Sequence, residues 1–247
     1  FAFTAINFNT ALASDRIAFN SEFNKESFLN GCRKYLKNAS DMKLPAIVDQ
    51  IEEKSTVLFP GIDFSAIDRH NVKCYSYPTV IVWNHRWEHD KNPEEFFAAL
   101  EDLERQGEDF RLLILGQSFA NSPECFLEAK ERFTDKIIHY GFAESFEEYI
   151  QLLCKGDIVV STSFHEFYGI SIIEAVRAGC IPVLPDRLSY PELFPEKYLY
   201  GRGELVKTLR RVIAEKNRLP GKTSKELTQK LSWKSLKNSY KRWLFDD

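Results

Sequence analysis

The 247-residue chain is 44% hydrophobic and 28% charged, with a net charge of −3, a globular composition that excludes intrinsic disorder and fibrous repeats. This length holds one large domain or two modest ones and buries a substantial core without disulfide staples. No apolar run approaches the ~20 residues that span a bilayer, and the opening FAFTAINFNTALAS lacks the basic region and continuous apolar stretch of a secretory signal.

Taken in chain order, Arg16 to Asn20 predicts a strand, Ser21 to about Leu36 a helix, Leu44 to Lys54 a short helix and Thr56 to Phe59 a second strand. Two strands with their helices are too few for an independent domain with a covered sheet. Residues 1–70 therefore read as the last units of a sheet whose earlier strands are absent. Phe1 as the first residue, with Met42 the only methionine, carries the same expectation of a natural beginning further upstream. A polar, Pro- and Gly-punctuated connection from Pro60 to Pro78 marks the boundary to residues 71–247.

From Thr79 the pattern alternates. Strands are predicted at Thr79 to Trp83 (TVIVW), Phe110 to Leu115 (FRLLIL), Lys136 to His139, Asp157 to Ser161 (DIVVS), Ile181 to Leu184 and Tyr198 to Tyr200. Between them Asn92-Pro93-Glu94-Glu95 opens a helix, with Asn92 as cap, Pro93 at the first helical position and Glu95 completing a capping box; Gly107 ends it. Ser122-Pro123 starts a helix through Phe133, Ser145 with Glu148 forms a second capping box for a helix to about Lys155, and a further helix ends at Gly179. Helices are also expected over about Glu204 to Asn217 and Ser232 to Leu244, the latter carrying Trp233, Leu236, Tyr240, Trp243 and Leu244. Strands alternating with ten-to-fifteen-residue helices make βαβ units, hence an α/β fold with a parallel sheet covered on both faces.

Cys32, Cys74, Cys125, Cys154 and Cys180 are widely spaced and form no CxxC pair, which argues against a disulfide framework or a structural zinc site and agrees with a reducing cytosol. The charge is unevenly divided: residues from Arg202 to Asp247 carry a net +8, the remainder −11. A basic tail accords with an anionic partner such as RNA, with an anionic membrane surface, or with a solvated helix face.

In open α/β sheets ligands bind beyond the carboxyl ends of the strands, against helix N-termini. The loop after TVIVW holds Arg86 and Lys91, cations suited to a diphosphate. The loop after DIVVS runs Thr162-Ser163-Phe164-His165-Glu166-Phe167-Tyr168-Gly169-Ile170 into a helix with Glu174. Gly169 lets backbone approach a ligand, and the amides of Gly169, Ile170 and Ser171 at a helix start form an anion site. Glu166 and Glu174 suit sugar or ribose hydroxyls, so a nucleotide-sugar matches the set. Against this, a Gly after a strand is a common turn, and Glu174 reads equally as an exposed helix residue. Neither GxGxxG, GxxxxGK[ST] nor GxSxG occurs, which disfavours dinucleotide dehydrogenase, P-loop and Ser-hydrolase readings. His85 and His89 have ligand-like spacing but precede the Asn92 cap and do not share a helix, so no metal site is expected.

At these residues the sequence resembles a family-four type glycosyltransferase of the GT-B fold. The E-x7-E signature stands as Glu166-FYGISII-Glu174 after STSFH, Arg86 and Lys91 match the cations after the first C-domain strand, and Pro191-Glu192 matches a later loop. WNHRWEHDKNPEEFF and STSFHEFYGISIIEAVRAGCIPVLPDRLSYPELFPEKYLY resemble the tRNA-queuosine mannosyltransferase family more closely, and ASDRIAFNSEFNKESFL is similar to the end of that family's N-terminal domain.

The resemblance implies a Rossmann-like, parallel-sheet C-terminal donor domain plus a remnant of an N-terminal Rossmann-like domain. It implies a cytoplasmic enzyme using GDP-mannose without a metal and transferring mannose, with retention, to queuosine in a tRNA anticodon. Arg86 and Lys91 would neutralise the diphosphate, amides around Phe167 to Ile170 hold the distal phosphate, Glu166 the mannose hydroxyls and Glu174 the ribose. The main chain at Gly116 and Tyr140-Gly141-Phe142 would line the base pocket, unless Phe142 is core. The family's N-terminal glycine-rich loop and His-Glu-Asn segment have no counterpart here, so the expectation is that most of the acceptor-side domain that would pack on the donor domain is missing. The expectation is donor binding without transfer by this chain alone. Two alternatives stay open: another GT-B enzyme using a UDP-sugar on a glycan or lipid, and a non-catalytic nucleotide-sugar-binding module.

Overall fold

The computed structural model describes residues 2–38, 45–70, 77–215 and 219–245; Cys74 and Met42 lie outside them. The first part packs helix α1 (Ala2–Ala13), strand β1 (Ile17–Phe19), α2 (Glu22–Asn38), α3 (Pro45–Glu53) and β2 (Ser55–Val57). β1 and β2 pair in parallel. Leu29, Cys32 and Leu36 recur at helical spacing on α2, and this buried face meets Val48 and Ile51 of α3 and Phe8 of α1. Helix α1 and the short α4 (Ser65–Asp68) were not foreseen; α4 falls inside the stretch read as a plain connection.

The second part is a six-stranded, wholly parallel sheet. β3 (Thr79–Asn84), β4 (Phe110–Leu115), β5 (Ile137–Gly141), β6 (Ile158–Val160), β7 (Ile181–Pro185) and β8 (Leu199–Tyr200) lie in the order β5-β4-β3-β6-β7-β8. The connecting helices are α5 (Pro93–Arg105), α6 (Cys125–Arg132), α7 (Phe146–Leu153), α8 (Ile170–Arg177) and α9 (Tyr190–Leu193), followed by α10 (Leu205–Glu215), α11 (Gly221–Thr228) and α12 (Trp233–Phe245). Helix α11 is a further addition to the sequence reading: its Ser and Thr content hid it, yet Ser224 and Thr228 are buried against Arg177. β3 is buried along its whole length, as expected of a central parallel strand covered on both faces. Phe96, Leu100 and Leu103 of α5 are fully buried, each contributing roughly 1.5–3 kcal/mol of hydrophobic stabilisation.

The two capping boxes differ. Ser145 accepts the Glu148 amide at 3.1 Å, while the Glu148 carboxylate accepts the amide of Glu144, one residue early. Asn92 does not cap α5 as expected. Its backbone is left-handed (φ 51°) and its side-chain amide donates to the Glu95 carboxylate. The same residue ends the short helical turn His89–Lys91, and its side chain makes no hydrogen bond to the α5 amides.

The sheet order reverses between β3 and β6. From β3 the chain proceeds outward to β4 and β5, and from β6 outward to β7 and β8. The carboxyl ends of these two adjacent strands mark the switch point, beyond which open α/β sheets carry their ligand crevice.

Candidate functional site

That crevice is where the β3 loop (residues 85–92) and the β6 loop (residues 161–169) meet. Thr162 stitches them together, its hydroxyl placed 2.9 and 2.8 Å from the carbonyls of Lys91 and Asn92. The amides of Phe164 and His165 reach back to the Asp90 carbonyl.

Lys91 is buried at the floor. Its ammonium donates to the His165 carbonyl at 2.6 Å and stands 3.1 Å from Asp90 and 3.7 Å from Glu166. The other Glu166 oxygen accepts the amides of Phe167 and Tyr168 at 3.1 and 3.3 Å. The carboxylate thus occupies two of the amides that the resemblance assigns to a phosphate. The outward-facing amides at the α8 start belong to Ile170, Ser171 and Ile172, because the first intrahelical bond is donated by Ile173 to Gly169.

Gly169 holds φ 84°, a left-handed conformation that favours glycine. Tyr190 packs 3.4 Å from where a Gly169 Cβ would sit. Its hydroxyl hydrogen-bonds Ser161 Oγ at 2.7 Å, and Tyr200 donates to the Ser161 carbonyl at 2.9 Å. Buried tyrosines from α9 and β8 thus brace the β6 loop from below.

Glu174 is drawn inward rather than exposed. Tyr149 of α7 donates to its carboxylate at 3.0 Å, and Asn84 donates to the Tyr149 oxygen and to the Ser171 carbonyl. Burial raises the Glu174 carboxyl above its ordinary range, and the Tyr149 hydrogen bond partly offsets that.

The remaining residues take distinct positions. Arg86 is exposed, with its guanidinium 3.0 Å from Glu88. Gly116 ends β4 at φ 149°, and a Cβ there would overlap the His85 carbonyl, so the β3 loop lies directly on it. Phe142 is 72% exposed, which removes the core reading. It lines a cavity of about 340 Å³ with Phe146 and Tyr149, so the aromatic hollow and the Glu174 carboxylate share Tyr149 as a common wall. Ile170 is half-exposed at the α8 start, and the Phe167 ring lies 6.2 Å from Phe23 of α2. Among the described residues no three His, Cys, Asp or Glu side chains cluster as metal ligands. His85 is buried edge-on to Trp83, whereas His89 lies in solvent 3.8 Å from Glu94.

Sequence reasoning missed Asn84, Tyr149, Thr162 and Tyr190. Asn84 was in reach, as a polar residue ending an apolar strand at a carboxyl end. Tyr149 was hidden in a helical pattern where tyrosine reads as packing, and Tyr190 lay in the loop after Ile181 to Leu184, where the short helix α9 was not foreseen. Glu192, noted only as part of a motif, accepts the amides of Glu22 and Phe23 at 2.8 and 2.6 Å. It caps α2 and ties the first part of the chain to the second.

Residues 67–218 match the family model for glycosyl transferases group 1. The chain belongs to that glycosyl transferase family. Residues 1–62 match the model for the tRNA-queuosine alpha-mannosyltransferase N-terminal region. A tRNA-queuosine alpha-mannosyltransferase of Drosophila melanogaster is 38% identical over 201 residues, 78% of this chain and 53% of that protein. The resemblance read from the sequence is borne out by both matches. A GDP-mannose:cellobiosyl-diphosphopolyprenol alpha-mannosyltransferase of Xanthomonas oryzae is 29% identical over 49% of the chain and 31% of its own length. The chain thus spans about half the length, or less, of these curated relatives.

Among solved structures, sucrose-phosphate synthase from Thermosynechococcus elongatus (TM-score 0.69, 16% identity) covers 98% of this chain and is itself covered over 61%. Anabaena HepE in complex with UDP gives the same TM-score and identity, with 98% and 66% covered. At such identities the likeness speaks to fold, and the GT-B type α/β expectation is borne out. Among the described residues no helix is long and apolar enough to cross a membrane.

Proposed function

We propose that this glycosyl transferase chain binds GDP-mannose at the β3/β6 switch point and supplies the donor half of a retaining mannosyltransferase acting on queuosine in a tRNA anticodon, in the cytoplasm. The observation that carries the reading is the Lys91–Glu166 pair beneath the Gly169 turn, a fixed cation and a fixed hydroxyl acceptor at one helix start. The similarity to proteins named for tRNA-queuosine and for GDP-mannose supports the donor and acceptor.

In this reading Arg86 and Lys91 neutralise the diphosphate in place of a metal ion, and the amides from Gly169 onward hold the distal phosphate. Glu166 takes the mannose hydroxyls and Glu174 the ribose, while the hollow at Phe142 and the main chain at Gly116 receive the base. Catalysis is stabilisation of the departing GDP and of an oxocarbenium-like sugar by charges already in place. The test is calorimetric titration with GDP-mannose, UDP-glucose and UDP-GlcNAc. GDP-mannose is expected to bind at least tenfold more tightly than either UDP-sugar; preference for a UDP-sugar would assign the chain to a different donor.

A further inference from the structure

The basic tail divides into two kinds of cation. On α10 and α11 four exposed cations are matched, Lys207 with Glu204, Arg210 with Glu108, Arg211 with Glu215 and Lys222 with Glu226, at 3.1–4.0 Å, while Lys225 has no such pair among the described residues. On α12 they are not. Trp233–Phe245 contains Lys234, Lys237, Lys241 and Arg242 and no acidic residue. All four are exposed, and among the described residues none has a carboxylate within ion-pair distance.

Lys234, Lys237 and Lys241 follow the i, i+3, i+7 spacing and fall within about 60° of arc, successive positions being about 4.5 and 6 Å apart along the axis. The helix is fixed in rotation by Trp233 and Tyr240, on the face adjacent to the stripe. Trp233 lies against Gly61, whose Cβ would overlap the indole; Tyr240 donates to the Phe59 carbonyl, and the Trp233 amide to that of Ile62. That 59–62 strap also accepts, at Pro60, the hydroxyl of Tyr168 from the Glu166 loop. The lysine stripe is therefore mounted on the same strap that backs the donor crevice.

We propose that this stripe is a phosphate-backbone contact for the RNA that brings the acceptor nucleoside to the crevice. This rests on the RNA-acceptor reading above and adds to it a surface outside the donor site. Three unpaired, solvated cations in a row suit a regularly spaced polyanion, neutralising it without reading sequence. Trp233 and Tyr240 pack on each other at 4.9 Å, while Leu244 and Phe245 at the helix end are exposed; the row of charge and the tRNA-acceptor reading point to RNA, and a lipid surface is an outcome of the test.

The test is fluorescence-anisotropy titration of this chain with a queuosine-free tRNA transcript at 50, 100 and 200 mM salt. The triple variant Lys234→Ala/Lys237→Ala/Lys241→Ala is titrated beside the wild type and the matched control Lys207→Ala/Lys222→Ala. The stripe predicts at least tenfold weaker binding at 100 mM salt in the triple variant and a salt slope shallower by about 2–3. It also predicts an Arg-for-Lys triple near wild type, a near-silent control, and GDP-mannose affinity unchanged throughout. Equal RNA affinity and slope in wild type and triple variant, or no RNA binding by the wild type, would overturn it. So would phosphatidylserine vesicles that bind the stripe while tRNA does not. Because the transcript lacks queuosine and GDP-mannose is read separately, failure of the stripe is distinct from failure of the donor assignment.

Discussion

The Lys91 ammonium stands 3.7 Å from the Glu166 carboxylate with Lys91 almost fully enclosed, and the same carboxylate is gripped by two amides of its own loop. A cation and an anion from the two loops of the switch point are thereby set before any ligand arrives, so donor binding finds charges in place rather than ordering them. Lys91→Met retains the stem and removes the charge. Donor affinity is expected to fall about 100-fold or more, since a desolvated charge contact to phosphate is lost, with the folded structure retained by circular dichroism. An affinity within threefold of wild type would exclude Lys91 from the diphosphate site.

Gly116 predicts a structural defect rather than a chemical one. Any side chain there meets the His85 carbonyl, so Gly116→Ala must push the β3 loop off the end of β4. A loss of about 2–4 kcal/mol in urea unfolding is expected, with donor affinity reduced as the loop shifts. An unchanged unfolding midpoint would show that the two loops do not lie in contact.

Tyr149 predicts a pH shift. Burial already raises the Glu174 carboxyl, and the Tyr149 hydroxyl holds it down. A carboxylate that binds ribose hydroxyls loses function as pH falls through its folded pKa, which here lies above the ordinary range. Tyr149→Phe removes the donor and moves that loss to still higher pH. GDP-mannose affinity measured from pH 5 to 8 should be weaker by about tenfold near the acid end and little changed at pH 8. A parallel offset at every pH would instead mark Tyr149 as a packing residue only.

The sequence carried the sheet well because each central strand is a short β-branched or Leu-rich run bounded by helices with strong start signals, as at Pro93 and Ser145. Helices α1, α4 and α11 escaped it. Ala2–Ala13 mixes Asn and Thr with apolar residues so evenly that no face stands out, and Ser65–Asp68 is a single turn. The charged half of the site was legible because Glu166, Glu174, Arg86 and Lys91 sit at strand ends at recognisable spacing. Their partners were not, because Tyr149 reaches Glu174 across 25 residues and Tyr190 reaches Ser161 across 29, distances only the closed sheet defines. Nor could spacing tell that the Asn92 backbone would turn left-handed and forfeit its capping bond.

His85 predicts acid sensitivity. Burial first, and the Lys91 charge second, push its imidazole down to about 3. The unfolded chain takes up a proton near 6.5, so between those values the unfolded state binds more protons and stability falls as pH drops, by up to about 1.4 kcal/mol per pH unit. In His85→Gln that component is gone. Urea midpoints at pH 7.5, 6 and 5 should converge in the variant and separate in the wild type; equal pH dependence in both would place the imidazole in water.

The central claim is that one crevice, floored by Lys91 and Glu166, binds GDP-mannose. It is tested most directly by calorimetric titration of GDP-mannose into the wild-type chain beside Glu166→Ala and Arg86→Ala. Saturable binding by the wild type, weakened at least about tenfold in each variant with folding intact, is the predicted result. Equal affinity in all three proteins, or no GDP-mannose binding by the folded wild type, would contradict the assignment.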